Sequence, residues 1–369
     1  MRVVIPVRLS TSSSNDRLPT GRWGITWLCA LFVAATAISV FEMGLRYSGF
    51  QPTQDDSVEF WIEQRDRIND SSERPVVLLG SSRIQLGVDT AYLRDELVRP
   101  VIQLAIDGTS FMPLLEDLSE DESFVGDVVV SVVESHVLPS EENQRASEWV
   151  DAYYKYKNKG IEPYKYFDQL IELQLRSRLS SRFMGVSPID MTDKWNPALT
   201  STPKVYLTTN TDRSRNADYS LLDQVQTYIG RVLRHYSLTF PQGVNNFEAF
   251  DRYCLDKLSE RSKADLSLFE EGVQKMDRHI KEIEERGGRV YLVRFPTDKL
   301  IWAFDDHVWP KGEYWDTYIG SRYNSVHFRD YPEMARFSLP DGSHLDMRDK
   351  KPFTKALLEA LSDKGFEIE

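Results

Sequence analysis

Cysteine is almost absent. The only two thiols, Cys29 and Cys254, lie far apart and the first sits in an apolar run, so there is neither a disulfide framework nor a clustered zinc signature. Positive charge is also short. Lys and Arg number 45 against 57 Asp and Glu, a net charge of -12, which leaves no basic surplus to neutralise phosphates and argues against a nucleic-acid partner. Histidine is scarce, with 6 in all, and no two have a local spacing suited to a metal. His307 and His327, in an aromatic stretch, are the nearest approach. Repeats and low-complexity tracts are missing too. What is present is a chain of 369 residues with 41% hydrophobic content, enough for one large or two ordinary domains with a full core.

A long apolar run occurs at one place, residues 23–43. It carries no charge before Glu42 and has the length of a bilayer-spanning helix. Arg2, Arg8, Arg17 and Arg22 precede it, with Asp16 opposing. The excess of arginine predicts a cytoplasmic arm at 1–22, an anchor at 23–43 and everything beyond outside the cytoplasm. A cleaved signal peptide with Ala35-Thr36-Ala37 as its small-residue site is the alternative; the length of the run favours an uncleaved anchor. Either way the rest of the chain is delivered to the periplasm or cell surface. Residues 44–56 read as a linker and 57–369 as the main domain.

Within that domain a helix is expected from Val58, Trp61, Ile62, Arg65 and Ile68. Val76-Val77-Leu78-Leu79 reads as a buried parallel strand, followed by strands at 101–106 and 128–133 with a helix at 113–118 between them. Strands alternating with helices predict an α/β fold with a parallel sheet. Residues 139–259 break the rhythm and read as a helical cap insertion. It is rich in tyrosine (Tyr153, Tyr154, Tyr156, Tyr164, Tyr166), a cluster that either packs the cap or stacks on sugar rings. It has a helix at 166–179 and a polar loop at 187–217. A helix at 263–286, a strand at 290–295 and a final helix at 353–361 restore the pattern.

Two short segments carry chemistry. Leu79-Gly80-Ser81-Ser82-Arg83 puts a serine directly after a buried strand, at the edge of a parallel sheet where ligands bind. Asp341-Gly342-Ser343-His344 puts an acid and a base on one loop. A serine hydroxyl becomes a useful nucleophile when a histidine takes its proton, and the histidine needs a carboxylate to fix its tautomer. Each segment alone also fits an ordinary turn.

Together, and in this order, they resemble the SGNH (GDSL-like) hydrolase superfamily. Gly80-Ser81-Ser82 matches its Gly-Asp-Ser block, with Ser81 in place of the aspartate, and Asp341 to His344 matches its Asp-x-x-His block without a gap. The resemblance covers the α/β parts and not the insertion. It implies a three-layer α/β/α sandwich and a triad of Ser82, Asp341 and His344, with the amides of Ser82 and Gly108 as oxyanion donors. The family's third block ends its strand in Gly-x-Asn-Asp, whose asparagine also donates. Here that stretch reads Val132-Val133-Glu134-Ser135-His136. Ser135 or His136 is then the alternative donor, and the anionic Glu134 opposes an oxyanion unless it is turned away. Arg83 and Arg294, at the sheet's carboxyl edge, are candidates for binding substrate together with Glu134 and Ser135, or for structural ion pairs.

An anchored, outward-facing domain of this kind resembles the D-alanyl transfer protein of teichoic acid synthesis and the accessory acetyltransferases of exopolysaccharides. Both work beside a multispanning membrane O-acyltransferase. The implied activity is serine-dependent transfer or hydrolysis of acyl esters on an envelope polysaccharide, with no metal or organic cofactor. A lipase of the same family, and a binding or assembly protein with a relic triad, are the competing expectations.

Overall fold

The structure, a computed structural model, describes residues 22–47, 50–70, 73–138, 143–159, 171, 175, 178–180, 206–240 and 246–368. The arm 1–21, most of the helix expected at 166–179, Tyr164, Tyr166 and the first part of the loop expected at 187–217 lie outside the described residues.

The apolar run forms one helix, α1 (Trp23–Tyr47), with Leu28, Phe32 and Val40 exposed and Glu42 and Leu45 buried near its end. By length and composition it can cross a membrane. Then come α2 (Val58–Asp70), β1 (Val76–Leu79), α3 (Ser82–Gly87), α4 (Thr90–Leu97), β2 (Val101–Gln103), α5 (Met112–Glu120), β3 (Asp127–Ser131) and α6 (Asn143–Lys159). A small antiparallel hairpin, β4 (Leu207–Thr209) and β5 (Arg215–Ala217), leads into α7 (Gln224–Tyr236) and α8 (Phe247–Ser259). The chain finishes with α9 (Leu266–Glu285), β6 (Arg289–Arg294), α10 (Lys299–Val308), β7 (Asn324–His327) and α11 (Lys350–Ser362).

Five strands make one parallel sheet in the order β2-β1-β3-β6-β7. Side chains alternate across each strand, so the sheet feeds two cores. Val77, Leu79, Val128, Val130, Val290 and Leu292 pack with α2, α5, α6 and α9 on one face. On the other, Val76, Leu78, Val129, Tyr291, Val293 and Val326 pack with α4 and α11. Both faces being covered explains the unbroken apolar strands. The chain leaves β1 toward β2 on one side and returns to β3 on the other. The carboxyl ends of β1 and β3 therefore flank the point where the strand order reverses, the usual crevice for a ligand.

Three expectations need correction. Residues 44–56 are not a free linker. The first part is helical, and Thr53 and Gln54 are buried against the hairpin: Gln54 N donates to Thr209 O at 3.0 Å and Thr209 N to Thr53 Oγ1 at 2.8 Å. Buried main-chain groups need such partners. The second half of the expected loop at 187–217 holds the hairpin itself. And the insertion is not a lobe apart. Its α6 belongs to the main core, where Tyr153 is fully buried edge-on to Trp61, ring centres 6.4 Å apart, beneath Arg65 at 4.9 Å. Tyr154 donates to Asp117 at 2.9 Å. Tyr153 packs the fold and presents no face to a sugar; Tyr154 is half-buried. The later helices α7 and α8 close with α10 around Tyr228, Val232, Tyr236, Phe250 and Ile301.

Candidate functional site

Ser82 begins α3 at the carboxyl end of β1. Gly80, two residues earlier, has φ +137, and a Cβ there would lie 2.7 Å from the Cβ of Ser131 on the neighbouring strand. Only glycine makes this turn while letting β1 and β3 stay in register. As the first residue of α3, Ser82 has an N–H with no intrahelical acceptor.

The loop after β7 brings the acid and base to the same edge. Asp341 Oδ1 accepts from the backbone N–H of Ser343 at 2.9 Å and of His344 at 2.8 Å, so the carboxylate shapes its own loop. Its Oδ2 meets His344 Nδ1 at 2.8 Å, and His344 Nε2 meets Ser82 Oγ at 2.7 Å. Asp341 and His344 are both buried. Ser82, Asp341 and His344, 262 positions apart at their extremes, thus form one hydrogen-bonded chain. With Nδ1–H donated to the Asp341 carboxylate, Nε2 is free to accept the serine proton.

Burial pushes the Asp341 carboxyl up. The charge and hydrogen bond of His344, with Arg231 behind, outweigh it and hold the group well below the usual carboxylate range. His344 moves down from its ordinary value: burial is the main cause, opposed by Asp341, while the positive charges of Arg231 and Arg83 add to the lowering. Burial therefore favours the neutral base over the imidazolium.

No protein-family model matches the chain, and no curated protein matches it.

The other candidate residues divide. Gly108 has φ +64 in the loop that follows β2, the neighbour of β1 in the sheet, so this loop leaves the same carboxyl edge as Ser82. Ser135 is half-buried in the single turn Glu134–Val137 after β3, which Ser110 ties to the β2 loop through a 2.7 Å bond to His136 O. Glu134 is turned inward: Arg294 Nε lies 3.0 and 2.9 Å from its two oxygens. Arg294 is fully buried and also donates to Asp305 at 2.6 Å and to Phe295 O at 2.9 Å. The expectation that Glu134 and Arg294 bind substrate is thus corrected: they neutralise each other in the interior, as buried charges must. Arg83 is buried beside them, its guanidinium 3.9 Å from Asp305.

His327 is not placed as a metal ligand. Its ring lies among Trp302, Trp315 and Phe328, and its Nδ1 accepts from the Arg329 N–H at 3.1 Å. Burial pushes its pKa down to about 2. His307, near the carboxyl end of α10, donates from Nε2 to Arg261 O at 2.9 Å. Among the described residues no group of three or more His, Cys, Asp or Glu gathers to hold a metal ion.

Residues that sequence reasoning missed come from the insertion. Tyr219 donates to Asp341 Oδ2 at 3.0 Å, and Arg231 Nε to the same oxygen at 3.2 Å. One turn on, His235 meets Asp305 at 2.8 Å. The signal was Arg231 and His235 at i, i+4 on an amphipathic helix, a basic stripe whose acidic partners lie 110 and 70 positions away.

Proposed function

We propose that this protein is a membrane-anchored serine enzyme of the SGNH type, working outside the cytoplasm on acyl esters of an envelope polysaccharide, O-acetyl or a related group. The observation that carries this reading is the hydrogen-bonded chain from Ser82 through His344 to Asp341 at the reversal point of a parallel sheet. In the first step Ser82 Oγ bonds to the ester carbon while its proton passes to His344 Nε2. The carbonyl electron pair moves onto oxygen, held by the amides of Ser82 and Gly108. Collapse expels the alcohol, which takes the proton back from His344, and leaves an acyl-Ser82. Water or an acceptor hydroxyl then gives its proton to His344 and removes the acyl group by the same route. Asp341 holds the imidazolium throughout.

The anchor supports the location. Helix α1, with arginines before it, would tether the domain on the outer side of the membrane, within reach of a multispanning membrane O-acyltransferase that could supply or receive the acyl group. Glu134 at the place of the family's asparagine favours a second reading, a non-catalytic binding partner of such a complex.

The test uses the full chain in detergent with a fluorophosphonate probe. Wild type should be labelled and Ser82→Ala should not. An unlabelled wild type would leave the binding-partner reading. Labelling of Ser82→Ala at the wild-type rate would mean another nucleophile. Faster turnover of long-chain than of acetyl esters would point to a lipase.

A further inference from the structure

The described structure buries five arginines, and four are held closely. Arg65 lies 2.6 Å from Asp117, Arg99 2.8 Å from Asp127, Arg213 2.8 Å from Asp56, and Arg294 is bound by Glu134 and Asp305. Arg83 differs. Its ion pair with Asp305 is 3.9 Å long, without the close carboxylate bond that each of the other four has; its Nη1 is buried with no hydrogen-bond partner, as are Arg65 Nη1 and Arg99 Nε and Nη2 on those better-held side chains. Asp305 is already committed to Arg294, Thr297 and His235, so it has little capacity left for a further donor. A buried charged donor left open in this way costs stability and calls for a reason.

Its position supplies one. Arg83 directly follows Ser82, and its guanidinium faces Asp305, the same carboxylate that binds Arg294 at the end of β6, which in turn holds Glu134 after β3; it therefore lies among the carboxyl ends of β1, β3 and β6. At the end of β3 the chain has Glu134 where an asparagine donor is expected, and Glu134 is drawn away by Arg294. We infer that Arg83 supplies the missing donor: its uncommitted guanidinium N–H bonds to the oxygen that becomes negative when Ser82 attacks. The inference rests on the proposed esterase or transferase chemistry. A guanidinium held only at 3.9 Å can shift toward the oxyanion without breaking a hydrogen bond, and a charge-assisted bond is stronger than that of an amide.

The test compares Arg83→Met, which keeps the length and apolar stem, with Arg83→Lys, which keeps the charge, in the full chain in detergent. Loss of one oxyanion donor should lower kcat by about 10²- to 10³-fold with KM nearly unchanged, and lysine should restore part of the rate. The affinity of a boronic acid that forms a tetrahedral adduct on Ser82 should fall in parallel with kcat/KM. Thermal stability should stay level or rise in Arg83→Met, because an open buried charge has been removed. Wild-type kcat in Arg83→Met would overturn the inference, as would a fall in rate matched by a fall in the folded fraction. If wild type itself fails to react with the fluorophosphonate, the proposed chemistry fails and this role with it. If wild type and Arg83→Met react equally fast, the role of Arg83 alone is lost.

Discussion

Asp341 Oδ2 is shared by three side chains: His344 at 2.8 Å, Tyr219 at 3.0 Å and Arg231 at 3.2 Å. Arg231 Nη2 also lies 3.3 Å from His344 Nδ1. The triad is therefore held from the insertion as well as from its own loop. Arg231 does two opposing things. It fixes the carboxylate that orients the base, and its charge disfavours the imidazolium. Because the folded pKa of His344 is lowered, the neutral base should persist below the ordinary histidine midpoint. The acid limb of kcat/KM is expected under about pH 6.5. Arg231→Gln removes one of the charges that lower it, so the limb should move toward higher pH. A pH–rate profile with the limb unmoved, or moved to lower pH, would separate Arg231 from the base.

At the scale of elements, α9 packs directly against the turn that follows β3. Gly272 in its middle lies so close to the turn Glu134–Val137 that an added Cβ would sit 2.2 Å from Val137 O, a backbone atom. That close approach keeps Glu134 opposite Arg294 and Ser135 near the β2 loop. Gly272→Ala must push the turn or the helix aside. We expect a loss of about 1–3 kcal/mol, the usual scale of overpacking, measured by denaturant unfolding, together with reduced turnover. An alanine variant as stable and active as wild type would show that the contact is not needed. Elements with a local signature were legible in the sequence. The apolar quartet of β1 and the periodic face of α9 follow from patterning, and Asp341 with His344 from spacing within one loop. Elements defined by distant partners were not. The strand β7, Asn-Ser-Val-His, lies at the sheet edge and has no apolar run to mark it; its place comes from pairing with the distant β6. The β4–β5 hairpin is polar and exists through its bonds to Thr53 and Gln54 and through Arg213, which pairs with Asp56 at 2.8 Å. Arg231 and Tyr219 escaped for the same reason.

For the whole molecule, the exposed apolar surface of α1 contrasts with a domain whose two cores are closed. Such a helix left in water would drive aggregation, and its length, composition and place near the N-terminus are those of a membrane anchor or a signal sequence. The chain should sediment with membranes and resist extraction by high salt, with the domain after α1 open to protease from outside. Release as a soluble protein would show that α1 is cleaved or does not anchor. Chemistry at Ser82 is the claim on which the functional assignment depends. It is tested most directly by mass spectrometry of the full chain after brief exposure to an activated acetyl ester. The peptide containing Ser82 should gain one acetyl group in wild type, and none should accumulate there in Ser82→Ala or His344→Ala. Turnover of the ester without an acetyl group on that peptide, or equal acetylation in His344→Ala, would contradict it.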